Sequence, residues 1–243
     1  MNIDLSDLHY SPIIKHDYRH WFEEVQYNGK TLTKSERGDF LKVIDEAIEQ
    51  YSEGLPLMYN WLSETKDMHD EYHELQNTVL SVHLFVTMTT IDSMVASKYF
   101  ILADKDYDRR FMRGKLFVIL NEGFKKLYGF DKKTYPKSVW DRLLTLMKYF
   151  PEEINLQYQE LTYHLEKQSK ASFWWKDERN FETHLETEKL YVSRQEEIIE
   201  SKVMIDSMKL FTTLSAVCEF LSNMHNCLIN HLVTKYRRGE VPY

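Results

Sequence analysis

The chain has 243 residues, a net charge of −7 and 43% hydrophobic residues, which is enough apolar material for a packed core. The acidic balance argues against a general nucleic-acid coat protein, because contacts to a phosphate backbone need a basic surface. Neither glycine nor proline occurs between Pro151 and Gly239. Sheet proteins need such turn residues far more often, so the sequence predicts an all-α protein. We expect a single bundle of about six to eight helices over residues 1–243.

The first third of the chain predicts an arm followed by two helices. Residues 1–32 carry no clear hydrophobic period and are interpreted as an N-terminal arm. Thr33 and Glu36 match the Ser/Thr-x-x-Glu capping box that opens a helix. Gly54 and Pro56 are expected to end that helix. A second helix and a polar link rich in Asp, Glu and His follow.

The third predicted helix has the clearest apolar period. Apolar residues recur every three or four positions, which predicts a buried face in a bundle. The members of this stripe are Leu80, Leu84, Met88, Ile91, Val95 and Leu102. Because His83, Asp92 and Lys98 interrupt the segment, it is interpreted as a core helix and not as a membrane span. We therefore expect no membrane association.

The remaining helices are predicted from the positions of glycine and proline and from the spacing of apolar residues. The fourth is expected to stop at Gly129, as a glycine after the last turn would stop it. The fifth is predicted from Pro136 and Ser138 to Pro151. Two further stripes predict a sixth helix and a long terminal one; they comprise Ile154, Tyr158, Leu161 and Leu165, then Phe211, Leu214, Cys218, Leu221, Leu228 and Leu232.

The cysteines and the N-terminus bear on the cellular compartment. Cys218 and Cys227 lie nine residues apart on the predicted terminal helix, too far for a disulfide between them and in no zinc-binding pattern. The first residues lack the basic and apolar parts of a signal peptide. These features predict reduced thiols in a cytoplasmic protein.

One segment suggests chemistry: Arg179-Asn180-Phe181-Glu182-Thr183-His184, which follows an aromatic Phe173-Trp174-Trp175 cluster. A histidine can take a proton from a 2′-hydroxyl or return one to a leaving oxygen. An arginine stays charged and can grip a phosphate through two hydrogen bonds. Asn180 can orient the histidine ring or a phosphate oxygen. This chemistry needs no metal and no cofactor, and we expect neither.

This segment resembles the signature of the HEPN superfamily of helical-bundle proteins. The signature is an arginine, often followed by a polar residue, and then a histidine after four to six residues. Arg179, Asn180 and His184 fit this signature at its shortest spacing. The block from Leu120 to Phe130 is also similar to a segment of abortive-infection-type HEPN proteins. The resemblance implies a single HEPN-like domain and, in active members, a metal-independent endoribonuclease of phage-defence or toxin–antitoxin systems.

The same resemblance implies roles and partners. Arg179 would bind the phosphate, Asn180 would support it, and His184 would act as the catalytic base or acid. Active members usually form homodimers in which two copies of the motif face each other, so a homodimer is expected. RNA and a protein partner such as an antitoxin are the other implied partners.

A non-catalytic alternative stays open beside this interpretation. Acidic residues crowd the motif, namely Asp177, Glu178, Glu182, Glu186 and Glu188. They would repel RNA and favour a charged imidazolium over a neutral base. Arg179 and His184 would then pair with those carboxylates on a solvated helix. The chain would be an all-helical interaction module whose acidic face, around Glu182 to Glu200, contacts a protein.

A basic cluster and several histidines are further candidates for binding sites. The best basic cluster comprises Lys105, Arg109, Arg110, Arg113 and Lys115, and it predicts an RNA-binding surface if its face meets the motif. Its alternative is the solvated side of a helix. His69 and His73 have a spacing that can bind zinc, but no clear third ligand accompanies them, so no metal site is predicted. His225 falls on the terminal apolar stripe and is expected to be a core histidine.

Overall fold

The computed structural model of the protein describes residues 5, 8–10, 32–129, 138–170 and 200–240. Within these ranges the chain forms seven α-helices and one 3₁₀ turn, and no strand. The helices are α1 Lys34–Glu53, α2 Leu55–Thr65, α3 Glu71–Leu102, α4 Asp106–Leu127, α5 Val139–Leu144, α6 Glu152–Ser169 and α7 Glu200–Arg237, with the 3₁₀ turn at Met147–Tyr149. The prediction of an all-α bundle with long core helices is confirmed.

Local capping signals set several helix ends. The Thr33 hydroxyl accepts a hydrogen bond from the backbone N–H of Glu36, whose carboxylate accepts one from the N–H of Thr33 at 2.7 Å, so the predicted capping box is confirmed. At the start of α3, Asp70 accepts from the backbone N–H of His73 and lies 2.7 Å from its Nδ1. His73 thus belongs to a helix cap. Gly129, with φ of 90°, follows the end of α4 as predicted.

Helix α3 lies at the centre and packs against α1, α2, α4, α5 and α7. Its face toward the core carries small hydroxyl residues, including the buried Thr90, Ser93 and Ser97. Their hydroxyls bond to carbonyls of their own helix, as Thr90 does to Val86 at 2.8 Å, so no polar group is left unpaired there. Ser97 also bonds to Ser207 of α7. Small side chains let these two helices approach closely.

The apolar stripe that was predicted to be the buried face of α3 is largely its outward face. Leu80 is buried, but Met88 is 43% exposed and Leu102 is 48% exposed. The members between them are half-buried. The prediction was wrong because α3 is apolar on most sides. Its buried side combines hydroxyl residues with other apolar ones, such as Val79, Val86 and Phe100.

Helix α3 is also long and apolar enough to cross a membrane, by length and composition alone. Half of its most apolar window is buried inside the structure. The core helix of a soluble protein meets the same two criteria, so this is weak support for a membrane span. The expected absence of a membrane partner stays a prediction.

The fifth helix is shorter than predicted. α5 ends at Leu144, and the 3₁₀ turn carries the chain to Phe150. The side-chain amide of Asn155 donates to the carbonyls of Met147, Phe150 and Pro151 at 2.9–3.1 Å. The carbonyls of Met147 and Pro151 also accept hydrogen bonds from backbone N–H groups, so the amide of Asn155 adds side-chain bonds that tie the 3₁₀ turn to the start of α6. Met147 and Phe150 are buried all the same.

An aromatic cluster joins α5, α6 and α7. The ring of Trp140 stacks on Tyr158, with centroids 4.8 Å apart and planes 7° apart, and Phe220 lies 5.6 Å from Trp140. The indole N–H of Trp140 donates to the hydroxyl of Thr162 at 2.8 Å. Large aromatic rings with a satisfied polar edge contribute strongly to a core. This cluster anchors the second half of the chain.

The predicted N-terminal arm is described only at residues 5, 8–10 and 32; the rest of it lies outside the described residues. Leu5 and Leu8 are buried against the bundle. The hydroxyl of Tyr10 accepts a hydrogen bond from the side-chain amide of Gln157 on α6 at 2.9 Å. The described part of the arm therefore packs on the bundle.

Candidate functional site

The catalytic candidates Arg179, Asn180 and His184 lie outside the described residues, in the segment 171–199 that joins α6 to α7. Their assignment stays a prediction. The structure does describe the residue that follows this segment directly, Glu200, which is the first residue of α7.

Glu200 is a buried carboxylate held by two arginines from other helices. Arg37 of α1 donates to both of its oxygens at 2.6 and 2.7 Å, and Arg109 of α4 lies 2.6 Å from Oε1. The Glu200 side chain is 5% exposed. Short hydrogen bonds between charged groups are stronger than those between neutral groups. The bonds of Glu200 fix the start of α7 against α1 and α4.

Two of the five basic candidates on α4 turn inward. Arg109 reaches Glu200 and also donates to the carbonyl of Ala103 at 3.0 Å. Arg113 is buried, with its guanidinium carbon 5.8 Å from the centre of the Phe117 ring. Arg109 and Arg113 are one turn apart on the same side of the helix. Arg109 therefore joins α4 to the start of α7, whereas Arg113 is buried beside a residue of its own helix.

The other three candidates are more accessible. Lys105 is exposed at the start of α4, and Arg110 is half-buried. Lys115 is exposed, with its ammonium 5.1 Å from the centre of the Phe111 ring. The five residues therefore do not form one exposed face. An RNA contact through Lys105, Arg110 and Lys115 stays a prediction.

A cleft of about 550 Å³ opens between α1, α2, α3 and α7. Most of its wall is apolar or aromatic, and this part comprises Tyr51, Leu57, Met58, Trp61, Phe211 and Ile229. Polar side chains also line it, among them Gln50, His83, Glu219, Ser222, His225 and Asn226. A concave, mostly apolar surface with a few polar groups is the usual form of a small-molecule site.

Two histidines on facing helices meet at this cleft. Nδ1 of His83 on α3 lies 3.5 Å from Nδ1 of His225 on α7, and the ring centroids are 5.3 Å apart. Burial lowers the pKa of His83 to about 4. Burial, together with the neighbouring His83, lowers the pKa of His225 to about 3. Both rings are therefore neutral at pH 7.

His225 is buried, as expected for a core histidine, but its hydrogen bonding is incomplete. Its Nε2 atom is shielded from solvent and has no hydrogen-bond partner among the described residues. Buried polar atoms without a partner are rare in native proteins. This atom constrains where the protons of the histidine pair can lie.

The other reactive groups of the cleft are held in unreactive forms. The hydroxyl of Tyr51 donates to Ser215 Oγ at 2.8 Å, and burial raises the pKa of Tyr51 to about 12. Cys218 Sγ lies 3.8 Å from Thr87 Oγ1, and burial raises the pKa of this thiol to about 12. A thiol is nucleophilic as the thiolate, so Cys218 is not an activated nucleophile at neutral pH.

No protein-family model, no curated protein and no solved structure matches the chain. The HEPN resemblance therefore rests on the residues of the motif and on the helical architecture.

The sequence placed Glu200 at the end of an acidic face that contacts a protein; this was wrong for Glu200, which is buried against Arg37 and Arg109. The pairing of His83 with His225 was not predicted. The two histidines are 142 residues apart, so no local spacing could connect them. For Glu200 one signal was available, because acidic residues favour the first turn of a helix. That signal does not identify the arginines that bind it.

Proposed function

We propose that this chain is a HEPN-like, metal-independent endoribonuclease whose chemistry is carried by Arg179, Asn180 and His184. The observation that carries the proposal is the Arg-Asn-x-x-x-His motif in the segment before the last helix. The all-α bundle supports it, because the resemblance implies a helical bundle. A role in phage defence or in a toxin–antitoxin pair is the biological setting that the resemblance implies.

In the proposed reaction His184 takes the proton of a ribose 2′-hydroxyl. The 2′-oxygen attacks the adjacent phosphorus, and the bond from phosphorus to the 5′-oxygen of the next nucleotide breaks. Arg179 stabilises the negative charge that builds on the phosphate oxygens. In the proposed homodimer, His184 of the second copy returns a proton to the leaving 5′-oxygen. The products are a 2′,3′-cyclic phosphate and a 5′-hydroxyl.

The proposed RNA contact lies at the start of α4, which is bound to the residue that follows the segment 171–199. Glu200 follows the segment directly, and its carboxylate is bound to Arg109 of α4. The N-cap residue Lys105 and the α4 residue Lys115 are exposed, and Arg110 is half-buried. These cations would attract a phosphate backbone.

The test is cleavage of single-stranded RNA in the presence of EDTA by wild type, His184→Ala and a matched control, His69→Ala. His69 is an exposed histidine between α2 and α3. We expect His184→Ala to lower the rate by at least about 100-fold, the usual effect of losing a general acid or base, and His69→Ala to leave it unchanged. A substrate with a 2′-deoxyribose at the cleaved position should resist cleavage.

Two results would contradict the nuclease proposal. Cleavage that survives in folded His184→Ala would remove this histidine from the mechanism. Cleavage that stops in EDTA would show a requirement for a metal ion. Circular dichroism of each variant verifies that the helical content is retained.

A second function, a non-catalytic protein-binding module, is favoured by apolar surface at the end of α3 and the start of α4. Tyr107 is 67% exposed, and Tyr99, Leu102 and Phe111 are also exposed. Exposed apolar groups of this size mark contacts with other proteins when they are contiguous. We propose a second copy of the chain as the partner, because the resemblance implies a homodimer.

Light scattering on the intact protein tests this contact. We expect a dimer for wild type and a monomer for Leu102→Glu/Tyr107→Glu. Leu156→Glu on α6 is the control, because Leu156 is also an exposed apolar residue, and it should stay a dimer. A dimer that cleaves no RNA would favour the binding module over the nuclease. A wild-type monomer would contradict the proposed contact.

A further inference from the structure

The cleft between α1, α2, α3 and α7 has no part in the proposed RNA cleavage. It combines an apolar wall with the His83–His225 pair. The proton positions on these two rings decide what the cleft can recognise.

Both imidazoles are neutral at pH 7, so each carries one proton on one of its two nitrogens. Only one proton can lie between the two Nδ1 atoms, which are 3.5 Å apart. If it belonged to His83, His225 would carry its proton on the buried Nε2, which has no partner among the described residues. Orphaned buried N–H groups are rare, so the proton belongs on Nδ1 of His225.

It follows that His225 donates to His83, in a long hydrogen bond, and that His83 carries its own proton on Nε2. His83 is only half-buried and lines the cleft. Nε2 of His83 is not among the buried unpaired atoms of the described residues. The cleft therefore offers an N–H donor at His83.

The same proton placement disfavours a metal ion between the rings. A metal bound to both Nδ1 atoms would force the proton of His225 onto its buried Nε2, where metal-bound histidines ordinarily have an acceptor. The described residues also contain no group of three His, Cys, Asp or Glu side chains that could hold a metal. Cys218 lies seven residues before His225, about 10 Å along the helix, so it cannot complete the set.

The remaining lining sets the charge and shape of a ligand. Leu57, Met58, Trp61 and Phe211 offer apolar and aromatic surface. Glu219 is the acidic residue in the described lining, and neither lysine nor arginine is part of that lining. An anionic ligand would therefore be disfavoured, because nothing there would compensate its lost hydration.

We propose that this cleft binds an uncharged small molecule with an aromatic ring, whose oxygen accepts a hydrogen bond from Nε2 of His83. The ring packs against the apolar wall formed by α1, α2 and α7. The cleft has the volume of an ordinary small-molecule site, about 550 Å³.

Two probes of nearly equal shape test this proposal. Acetophenone has a ring and a carbonyl oxygen, and α-methylstyrene has a CH₂ group in place of that oxygen. Dissociation constants for both are measured on wild type, His83→Phe and the control His69→Phe. We expect saturable binding of acetophenone to wild type. In His83→Phe, the dissociation constant of acetophenone divided by that of α-methylstyrene should rise about fivefold, because one hydrogen bond to acetophenone is lost. In His69→Phe this ratio should equal that of wild type.

Nitrogen NMR of the ¹⁵N-histidine-labelled wild type gives an independent readout. We expect a protonated Nε2 on His83 whose shift moves with acetophenone and stays with α-methylstyrene. This readout decides the question if His83→Phe does not fold. The proposal is overturned if acetophenone does not bind saturably, if Nε2 of His83 is unprotonated, or if the ratio is the same in folded His83→Phe as in wild type.

Discussion

The two sides of α3 differ in how tightly they are packed. On the side of α5, α6 and α7, the rings of Trp140, Tyr158 and Phe220 meet in a closed aromatic cluster. On the side of α1 and α2, only Ile44 and Ala47 of α1 are buried, and α2 has no buried residue. The open cleft lies between this second side and α7, which forms much of the cleft wall.

One part of the bundle therefore contributes most of the folding stability, and another part is open to a ligand. Burial of apolar surface is the main source of folding free energy, so most of that energy is expected from the packed side. Weakly packed elements are the ones that can admit a ligand or open locally. We therefore expect substitutions on the two sides to differ strongly in cost.

The largest expected effect is at Phe220, which is fully buried against Trp140. Phe220→Ala should lower the free energy of unfolding by about 3–5 kcal/mol, because it removes a buried ring and leaves a cavity. Leu57→Ala on α2 should cost less than about 1 kcal/mol, because Leu57 is exposed. Urea denaturation measures both. Similar losses would contradict the contrast between the two sides.

The next effect concerns Glu200, whose ion pairs tie α1 to α4 and α7. Glu200→Gln should cost about 3 kcal/mol, because it leaves two arginines without a buried counter-charge. The matched control is Glu166→Gln, which breaks the exposed pair with Lys170. It should cost less than about 0.5 kcal/mol. An equally mild effect at Glu200 would show that α1 is not held by these bonds.

A smaller effect per residue is expected on acidification. The pKa values of His83 and His225 are lowered to about 4 and about 3 by burial. The unfolded chain binds protons at these histidines below about pH 6.5 while the folded chain does not, so stability is full above that pH and falls toward pH 4. The loss between pH 7 and pH 5 should be on the order of 2 kcal/mol for each of the two histidines.

Urea denaturation at pH 7 and at pH 5 measures this slope. His164, whose pKa is also lowered by burial, adds to it. The variant His83→Gln/His225→Gln should lose most of the slope. An unchanged slope would show that the pair is already protonated or is solvated in the folded protein.

The smallest effect compares two helical glycines, one on the closely packed α4 and one on α1. A Cβ at Gly123 of α4 would lie 2.7 Å from Thr89 Cγ2, whereas a Cβ at Gly38 of α1 would meet nothing within 4 Å. Gly123→Ala should destabilise by about 1–2 kcal/mol. Gly38→Ala should stabilise by about 0.5–1 kcal/mol, because alanine has the higher helix propensity.

Thr89→Ser supplies the control, because it removes the methyl group and keeps the hydroxyl that bonds to the Phe85 carbonyl. In that background Gly123→Ala should lose most of its cost. Thermal unfolding measures all four proteins. A neutral Gly123→Ala in wild type would show that α3 and α4 can separate without penalty.

Features that depend on neighbouring residues were predictable. The capping box of Thr33 and Glu36, the glycine after α4 and the buried stripe of α6 are all present. Each follows from interactions within about one or two helical turns, so a linear pattern contains the information. The proposed catalytic motif is local in the same sense, but Arg179 and His184 lie outside the described residues and stay predictions.

The sequence by itself determined the all-α class, several helix ends and the buried stripes of α6 and α7. The tertiary structure alone decided which face of α3 is buried, which arginines bind Glu200, and that His83 meets His225. The physical reason is range: a helix can be specified by its own residues, whereas a buried charge or a histidine pair needs partners that only packing brings together.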